Sequence, residues 1–228
     1  PIDIETIPTQ SPERMEVMAD RIFSSAEIAE PPATYKKPEA IQAWKDRHLE
    51  ETRGRAADAH HATALEGSWG EVCCICWWSE KRGEMVTHQR GTEASVLQDF
   101  SDDMRAELAG LAPTFLGYSV QFDLRFLHHR FVIQGIKPGF HLSHNAPPWR
   151  SGYIDLRHEW YGAQPGKGTK LVDLCEVFGI EVDDTIDGSQ VAERWDAGDI
   201  GTIVSHCRAD VVRVRELYAR IFEYGGAE

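Results

Sequence analysis

The sequence has no long apolar run, few basic residues and few cysteines. No window approaches the roughly 18 consecutive apolar residues that a membrane-spanning helix requires, and no basic-then-apolar leader opens the chain. We therefore expect neither a membrane protein nor a secreted one. The 24 Lys and Arg residues face 37 Asp and Glu residues, for a formal net charge of −13. This excess of acid argues against a protein that coats nucleic acid, because phosphate neutralisation needs Lys and Arg.

The cysteines do not form a disulfide framework. There are five, an odd number without regular spacing, which indicates reduced thiols and a cytoplasmic protein. Cys73, Cys74 and Cys76 fall inside an apolar segment, residues 70–78, and are interpreted as small buried side chains of a strand. A structural zinc site is the alternative, although such a site usually has paired Cys or Cys/His ligands at matched spacing.

The order of apolar patterns predicts an α/β protein. A length of 228 residues with 42 % apolar residues fits one compact domain, and no repeat or low-complexity tract interrupts it. We predict a single domain over residues 1–228, with an RNase H-like mixed β-sheet flanked by helices, in which residues 9–69 are a helical insertion between the first two strands. The pattern predicts strands at 2–7, 70–78, 85–90 and 114–118, and helices at 37–65, 93–108, 121–134, 155–161, 170–178, 190–197 and 201–223, with loops dominating 137–169.

Two acidic residues alternate with apolar residues in the first strand. Ile2 and Ile4 share one face of this strand, so Asp3 and Glu5 project together from the other. Two carboxylates on one strand face can share a divalent cation. The alternative is an ordinary solvent-facing strand surface.

Another acid, Asp123, occurs among apolar residues of a predicted helix. Phe126 and Leu127 follow it by three and four residues, which places Asp123 on the apolar face of the helix or at the N-terminal edge of that face. A carboxylate that stabilises the helix N-terminus through the macrodipole is the alternative.

Asp210 lies within or beside an apolar stripe of the last helix. It comes three residues after Cys207 and four before Val214, and His206 lies one turn earlier. A buried carboxylate costs several kcal/mol unless it is paired, hydrogen-bonded or bound to a metal. A salt bridge to Arg213 is the alternative to a metal.

Together these segments resemble the three exonuclease motifs of the DEDD superfamily, the RNase H-like 3′–5′ exonucleases that include proofreading domains. In particular they resemble the stand-alone exonucleases related to the proofreading domain of family-B DNA polymerases, over nearly the whole chain. The matching segments are Asp3-Ile4-Glu5-Thr6, Gly117-Tyr118-Ser119 followed by Phe122-Asp123, Asp187-Gly188-Ser189 followed by Trp195, and His206-Cys207-Arg208-Ala209-Asp210.

The resemblance implies two divalent cations, Mg²⁺ or Mn²⁺, as cofactors. Asp3, Glu5 and Asp210 would hold the ion that binds the attacking water, and Asp3 and Asp123 would hold the second. His206 would orient or deprotonate the water. It stands at the spacing of the tyrosine that other members carry, whereas members with histidine usually place it one residue further from the aspartate. A core histidine that hydrogen-bonds a carboxylate is the alternative role.

Three further residues are candidates for substrate binding. The resemblance implies that Thr6 contacts the terminal nucleotide. Phe122 could stack on a base, since stacking tolerates any sequence. Lys170, with Lys167, could contact phosphate, although a solvated loop explains these lysines equally well.

We therefore expect a metal-dependent 3′–5′ exonuclease that acts on DNA 3′ ends, preferably single-stranded, and releases nucleoside monophosphates. Its partner would be a nucleic-acid end and not a membrane. Two alternatives stay open: the same chemistry on RNA 3′ ends, and a catalytically silent RNase H-like module that binds nucleic acid or a protein partner. The four intact carboxylates favour an enzyme.

Overall fold

In the computed structural model, strands and helices alternate along the chain. The structure describes residues 1–27, 29–145, 152–162 and 168–223, with the side chains of 25–27 excepted. The strands are β1 (Ile2–Ile7), β2 (Glu71–Ser79), β3 (Glu84–His88), β4 (Phe115–Gly117) and β5 (Tyr153–Asp155). The helices are α1 (Pro12–Glu27), α2 (Pro38–Ala62), α3 (Glu93–Leu108), α4 (Val120–Ile133), α5 (Leu156–Tyr161), α6 (Leu171–Val177), α7 (Val191–Asp196) and α8 (Ile200–Glu223).

The chain divides into two compact units, residues 1–6 with 72–228, and residues 7–71. The smaller unit is helical: α1 packs against α2, and a 3₁₀ turn at Thr63–Leu65 follows α2. Thr63 Oγ1 accepts a hydrogen bond from the backbone N–H of Thr9 at 3.0 Å. This bond joins the end of the second helix to the segment that precedes the first.

The strands of the larger unit form two hydrogen-bonded groups. β1, β2 and β3 make a three-stranded sheet in which β2 and β3 are antiparallel, with Ser79 opposite Glu84. The sequence predicted both of these strands, at 70–78 and 85–90. β4 and β5 pair in parallel, with Gly117 opposite Asp155. The sequence did not predict β5, because three residues are too few to establish a strand period.

The β4–β5 sheet separates two apolar cores. Phe115 and Tyr153 pack into a core shared with α3 and α4, whereas Leu116 and Ile154 pack against a core formed by α5, α6 and α8. This division follows from the alternation of strand side chains between opposite faces. Helices therefore cover both faces, and the predicted α/β class is confirmed.

Helix α8 contacts the three-stranded sheet through the buried Cys207 and the exposed Arg215. The guanidinium carbon of Arg215 lies 3.7 Å from the centroid of the Trp78 ring in β2, and Cys207 Sγ donates a hydrogen bond to the carbonyl oxygen of Asp3 at 3.4 Å. These contacts fix the helix that carries the last acidic motif. Within the described ranges, neither α8 nor any other helix is long and apolar enough to cross a membrane.

A buried ion pair joins α3 to α4. Arg130 Nε donates to Glu93 Oε1 at 2.8 Å, and its NH2 group donates to Oε2 at 2.7 Å. The two side chains are only 1 % and 5 % exposed. Glu93 Oε1 also accepts a hydrogen bond from the backbone N–H of Val72 in β2 at 2.8 Å. One carboxylate therefore connects two helices and a strand.

We predict that Glu93→Ala lowers the free energy of unfolding of the larger unit by about 3–5 kcal/mol, because it removes the carboxylate that neutralises a buried guanidinium. Urea unfolding followed by circular dichroism measures the change. As a control, Glu93→Leu combined with Arg130→Met removes both charges and should cost less than the sum of the two single substitutions. Additive losses would show that the pair is not coupled.

Candidate active site

Strand β1 presents two candidate carboxylates on one face. Ile2 and Ile4 are buried in the core shared with α3 and α4, so Asp3 and Glu5 point to the opposite face, where Cys207 of α8 contacts the backbone of β1. Glu5 is buried. An ordinary solvent-facing strand surface therefore does not describe this face.

Asp123 joins α4 to β1. It lies in the first turn of α4 and is buried. The backbone N–H groups of Asp123 itself and of Ile4 in β1 lower the pKa of this carboxyl group. Asp123 therefore does lie at the start of its helix, as the alternative from the sequence proposed. This position also brings its carboxylate to β1, the strand that carries Asp3 and Glu5.

The start of α4 is fixed by a tight turn. Ser119 precedes the helix with a φ of 60°, an uncommon conformation for a residue other than glycine. Asp155 Oδ1 accepts a hydrogen bond from the Ser119 backbone N–H at 2.9 Å. A Cβ at Gly117 would lie 2.7 Å from Val120 Cβ, so only glycine permits this close approach. These contacts set the position of Asp123.

Helix α8 contributes His206 and Asp210 on successive turns. His206 is buried, and the Asp210 side chain is 21 % exposed. Asp210 Oδ1 accepts a hydrogen bond from Arg213 NH1 at 2.6 Å. The salt bridge that the sequence left open as an alternative is therefore present in this structure.

The four candidate carboxylates repel one another. Burial raises the pKa of Asp3 well above its ordinary value, and so do the charges of its neighbours Glu5, Asp210 and Asp123. The pKa of Glu5 is raised by burial and then by Asp210 and Asp123. Burial also raises the pKa of Asp123; the two backbone N–H donors oppose this, while Asp155 and Asp210 add to it. A concentrated negative charge thus surrounds Asp3.

The environment of Asp3 fits a divalent cation. Its Oδ2 atom is buried, and no hydrogen-bond donor reaches it among the residues that the structure describes. A buried oxygen without a donor is costly. Hard cations such as Mg²⁺ and Mn²⁺ prefer carboxylate oxygens, and the ligand atoms of Asp3, Glu5 and Cys207 lie within 4.8 Å of one another. A cation would satisfy this oxygen and offset the repulsion.

Asp184 belongs to the same region, although the sequence did not indicate it. Its Oδ2 atom accepts hydrogen bonds from His206 Nδ1 at 2.8 Å and from Arg213 NH1 at 2.7 Å. Burial would raise the pKa of Asp184, but these two donors outweigh burial and lower it. Asp184 lies between α6 and α7, where neither the helical nor the strand period applies, so no sequence pattern could have identified it.

The geometry of His206 leaves one ring nitrogen free to face the acidic cluster. Nδ1 is bonded to Asp184, and Nε2 lies 3.6 Å from Glu5 Oε1. Because the pKa of Asp184 is lowered, its carboxylate is ionised and can only accept, so Nδ1 carries a proton. In the neutral form of the ring, Nε2 is then an acceptor. A Cβ at Gly188 would lie 4.0 Å from Nε2, so the segment before α7 borders this nitrogen.

The three predicted substrate-binding residues lie in different environments. Thr6 is half-buried in β1, next to Glu5. Phe122 is partly buried, with its ring centroid 5.7 Å from that of Phe126, so it has a packing role. Lys170 is exposed, and its Nζ atom lies 3.8 Å from Asp187 Oδ2, in the segment that borders His206. Lys167 lies outside the described residues.

Comparison with known proteins identifies the family of this chain. The chain is 32 % identical over 144 residues to an uncharacterized protein of Methanocaldococcus jannaschii, an alignment that covers 59 % of this chain and 77 % of that protein. Residues 71–227 match the family described as predicted 3′–5′ exonucleases related to the exonuclease domain of PolB. The matched range includes α4 and α8 but not β1, and the mixed α/β architecture is consistent with the RNase H-like fold of such exonucleases. The chain therefore belongs to this family of 3′–5′ exonucleases related to PolB.

Proposed function

We propose that the protein is a metal-dependent exonuclease that hydrolyses the terminal phosphodiester bond at the 3′ end of single-stranded DNA and releases nucleoside monophosphates. The observation that carries the proposal is the buried Asp3 carboxylate, which has an oxygen without a donor in the described structure and is surrounded by three other carboxylates. Membership of an exonuclease family supports the reaction type.

In this proposal the carboxylates hold two divalent cations, and Asp3 contributes to both positions. Glu5 and Asp210 complete one position, and Asp123 completes the second. When bound, the cations would supply charge neutralisation at the scissile phosphate, for both the attacking and the leaving oxygen. The protein residues contribute fixed oxygens from β1, α4 and α8, elements whose mutual positions are set by buried contacts.

His206 acts as the base in this scheme. Its Nε2 atom accepts the proton of the attacking water, and Asp184 keeps the proton of the neutral ring on Nδ1. Asp184 does not touch the substrate and is a positioning residue. Arg213 donates hydrogen bonds to both Asp184 and Asp210. The same guanidinium therefore positions the carboxylate that orients His206 and one of the acids proposed to bind a cation.

The three substrate-binding candidates complete the proposal. Thr6, directly after Glu5, contacts the terminal nucleotide. The partly exposed part of Phe122 stacks on a base, and Lys170 contacts a phosphate of the bound strand. None of these contacts requires a particular base, which agrees with a nuclease that shortens ends of any sequence.

We predict that Asp123→Asn and Asp210→Asn each lower kcat by at least about 100-fold, because each removes a carboxylate that neutralises the developing charge through a cation. The assay follows stepwise shortening of a 5′-labelled single-stranded DNA with Mn²⁺ or Mg²⁺, and EDTA should abolish the reaction. Asp196→Asn, an exposed acid on α7, is the matched control and should keep full activity.

The same assay distinguishes the proposal from its alternatives. A single-stranded RNA of identical sequence is tested in parallel, since the 2′-hydroxyl separates the two substrates. If the RNA is shortened faster than the DNA, RNA and not DNA is the preferred substrate. Shortening that persists in both aspartate variants, or in EDTA, would contradict the metal-dependent mechanism. If the protein binds both oligonucleotides but shortens neither the DNA nor the RNA, it is a catalytically silent nucleic-acid-binding module.

We predict that Asp184→Asn lowers kcat about 10–100-fold with little change in KM, because the histidine loses the charged partner that orients it. His206→Ala should lower kcat further. If Asp184 acts through His206, Asp184→Asn should have little additional effect on kcat in the His206→Ala background. Independent, multiplicative effects would show that Asp184 has a separate structural role.

A further inference from the structure

Three buried thiols from two elements meet beside the carboxylate site. Cys74 and Cys76 lie on β2 and Cys207 lies on α8; all three are free and 0 % exposed. Their sulfur atoms lie within 4.8 Å of one another, and the sulfur atoms of Cys74 and Cys76 are 3.8 Å apart. The two-cation scheme proposed for the acidic residues gives these thiols no role, although Cys207 Sγ also lies within 4.8 Å of ligand atoms of Asp3 and Glu5.

The 3.8 Å separation of the Cys74 and Cys76 sulfur atoms matches that of two thiolates that share one metal ion, and Cys207 Sγ lies within 4.8 Å of both. Zinc–sulfur bonds of about 2.3 Å in a tetrahedral arrangement place two sulfur atoms about 3.8 Å apart. The strand brings this about because residues two apart share a face, which directs Cys74 and Cys76 toward α8. The other two cysteines lie elsewhere: Cys73 Sγ contacts the carbonyl oxygen of Glu5, and Cys175 packs in the core of α5, α6 and α8.

Oxygen atoms for a fourth ligand lie at the edge of the cluster. The carbonyl oxygen of Asp3 is 3.4 Å from Cys207 Sγ, and Thr87 Oγ1 is 3.5 Å from Cys76 Sγ. Thiolate ligands select soft or borderline cations, whereas carboxylates select hard ones. The two neighbouring sets of donors therefore differ in the class of cation that they bind.

We propose that Cys74, Cys76 and Cys207 form a binding site for one thiophilic divalent cation of the zinc class. On binding, each thiol releases its proton to solvent, and the cation joins β2 to the helix that carries His206 and Asp210. Because the thiols are buried, the cation enters during folding or through local opening of the structure.

The test uses Cd²⁺ as the probe, on the reduced full-length chain, with excess Mg²⁺ present to occupy the carboxylates. We expect one Cd²⁺ per chain and the ultraviolet charge-transfer absorption of cadmium thiolates. We expect a loss of affinity for Cd²⁺ of at least about tenfold in each of three variants, Cys74→Ser, Cys76→Ser and Cys207→Ser. Substitution of a residue that only supports a metal ligand typically has an effect of this size, so loss of a direct ligand should cost at least as much.

Matched variants show where the cation binds. Cys73→Ser and Cys175→Ser, equally buried thiols outside the cluster, should bind Cd²⁺ as the native chain does. The variant Asp123→Asn should also bind it, which separates this site from the exonuclease reaction. Absence of the charge-transfer absorption in the native chain would overturn the proposal whatever the stability of the variants. It would also be overturned if folded Cys74→Ser and Cys76→Ser kept full affinity, because the ion would then lie between Cys207 and the carboxylates.

Discussion

Repulsion among four clustered carboxylates, two of them on buried residues, is the constraint on which the arrangement of the site depends. Three elements that are distant in sequence bring Asp3, Glu5, Asp123 and Asp210 together, and burial and the neighbouring charges raise the pKa values of Asp3, Glu5 and Asp123. Backbone N–H groups offset part of the cost at Asp123, and a guanidinium does so at Asp210. At Asp3 the Cys207 thiol opposes the raised pKa, but no donor reaches the Oδ2 atom within the described residues. Apolar cores on both sides of the sheet, and the Glu93–Arg130 pair, stabilise a fold that tolerates this repulsion.

One guanidinium connects the electrostatics of the acids to the geometry of the proposed base. Arg213 donates to both Asp210 and Asp184, and Asp184 in turn fixes the ring of His206. The salt bridge that stabilises Asp210 is thus part of a network that orients His206. This explains how a histidine at the spacing typical of tyrosine can face the acidic cluster: a carboxylate from the segment between α6 and α7, outside the three motifs, positions its ring.

Much of the site followed from the sequence because it rests on regular periods. Strand alternation placed Asp3 and Glu5 on one face, and helical spacing placed Asp123 and Asp210 at the edges of apolar faces. Asp184 and Asp155 could not be predicted in this way, since one lies in an irregular segment and the other ends a strand of three residues. The sequence did not predict the cysteine cluster either. Strand alternation pairs Cys74 with Cys76, but only the packing of α8 on β2 brings in Cys207.

The central claim is that the Asp3 charge destabilises the folded chain until a cation binds. It is tested most directly by measuring the unfolding free energy of Asp3→Asn and of the native chain, each in chelator and in saturating Mn²⁺. In chelator the substitution should stabilise the protein at neutral pH, because the native chain must bury the Asp3 charge among three other carboxylates and Asn carries no charge. This gain should begin to shrink as pH falls through the raised pKa of Asp3 and should disappear only below the ordinary pKa of an aspartate, where the folded and unfolded chains are both protonated. In Mn²⁺ the order should reverse, because only the native chain gains fully from cation binding. A destabilised Asp3→Asn in chelator, or a native chain that Mn²⁺ does not stabilise, would contradict the account.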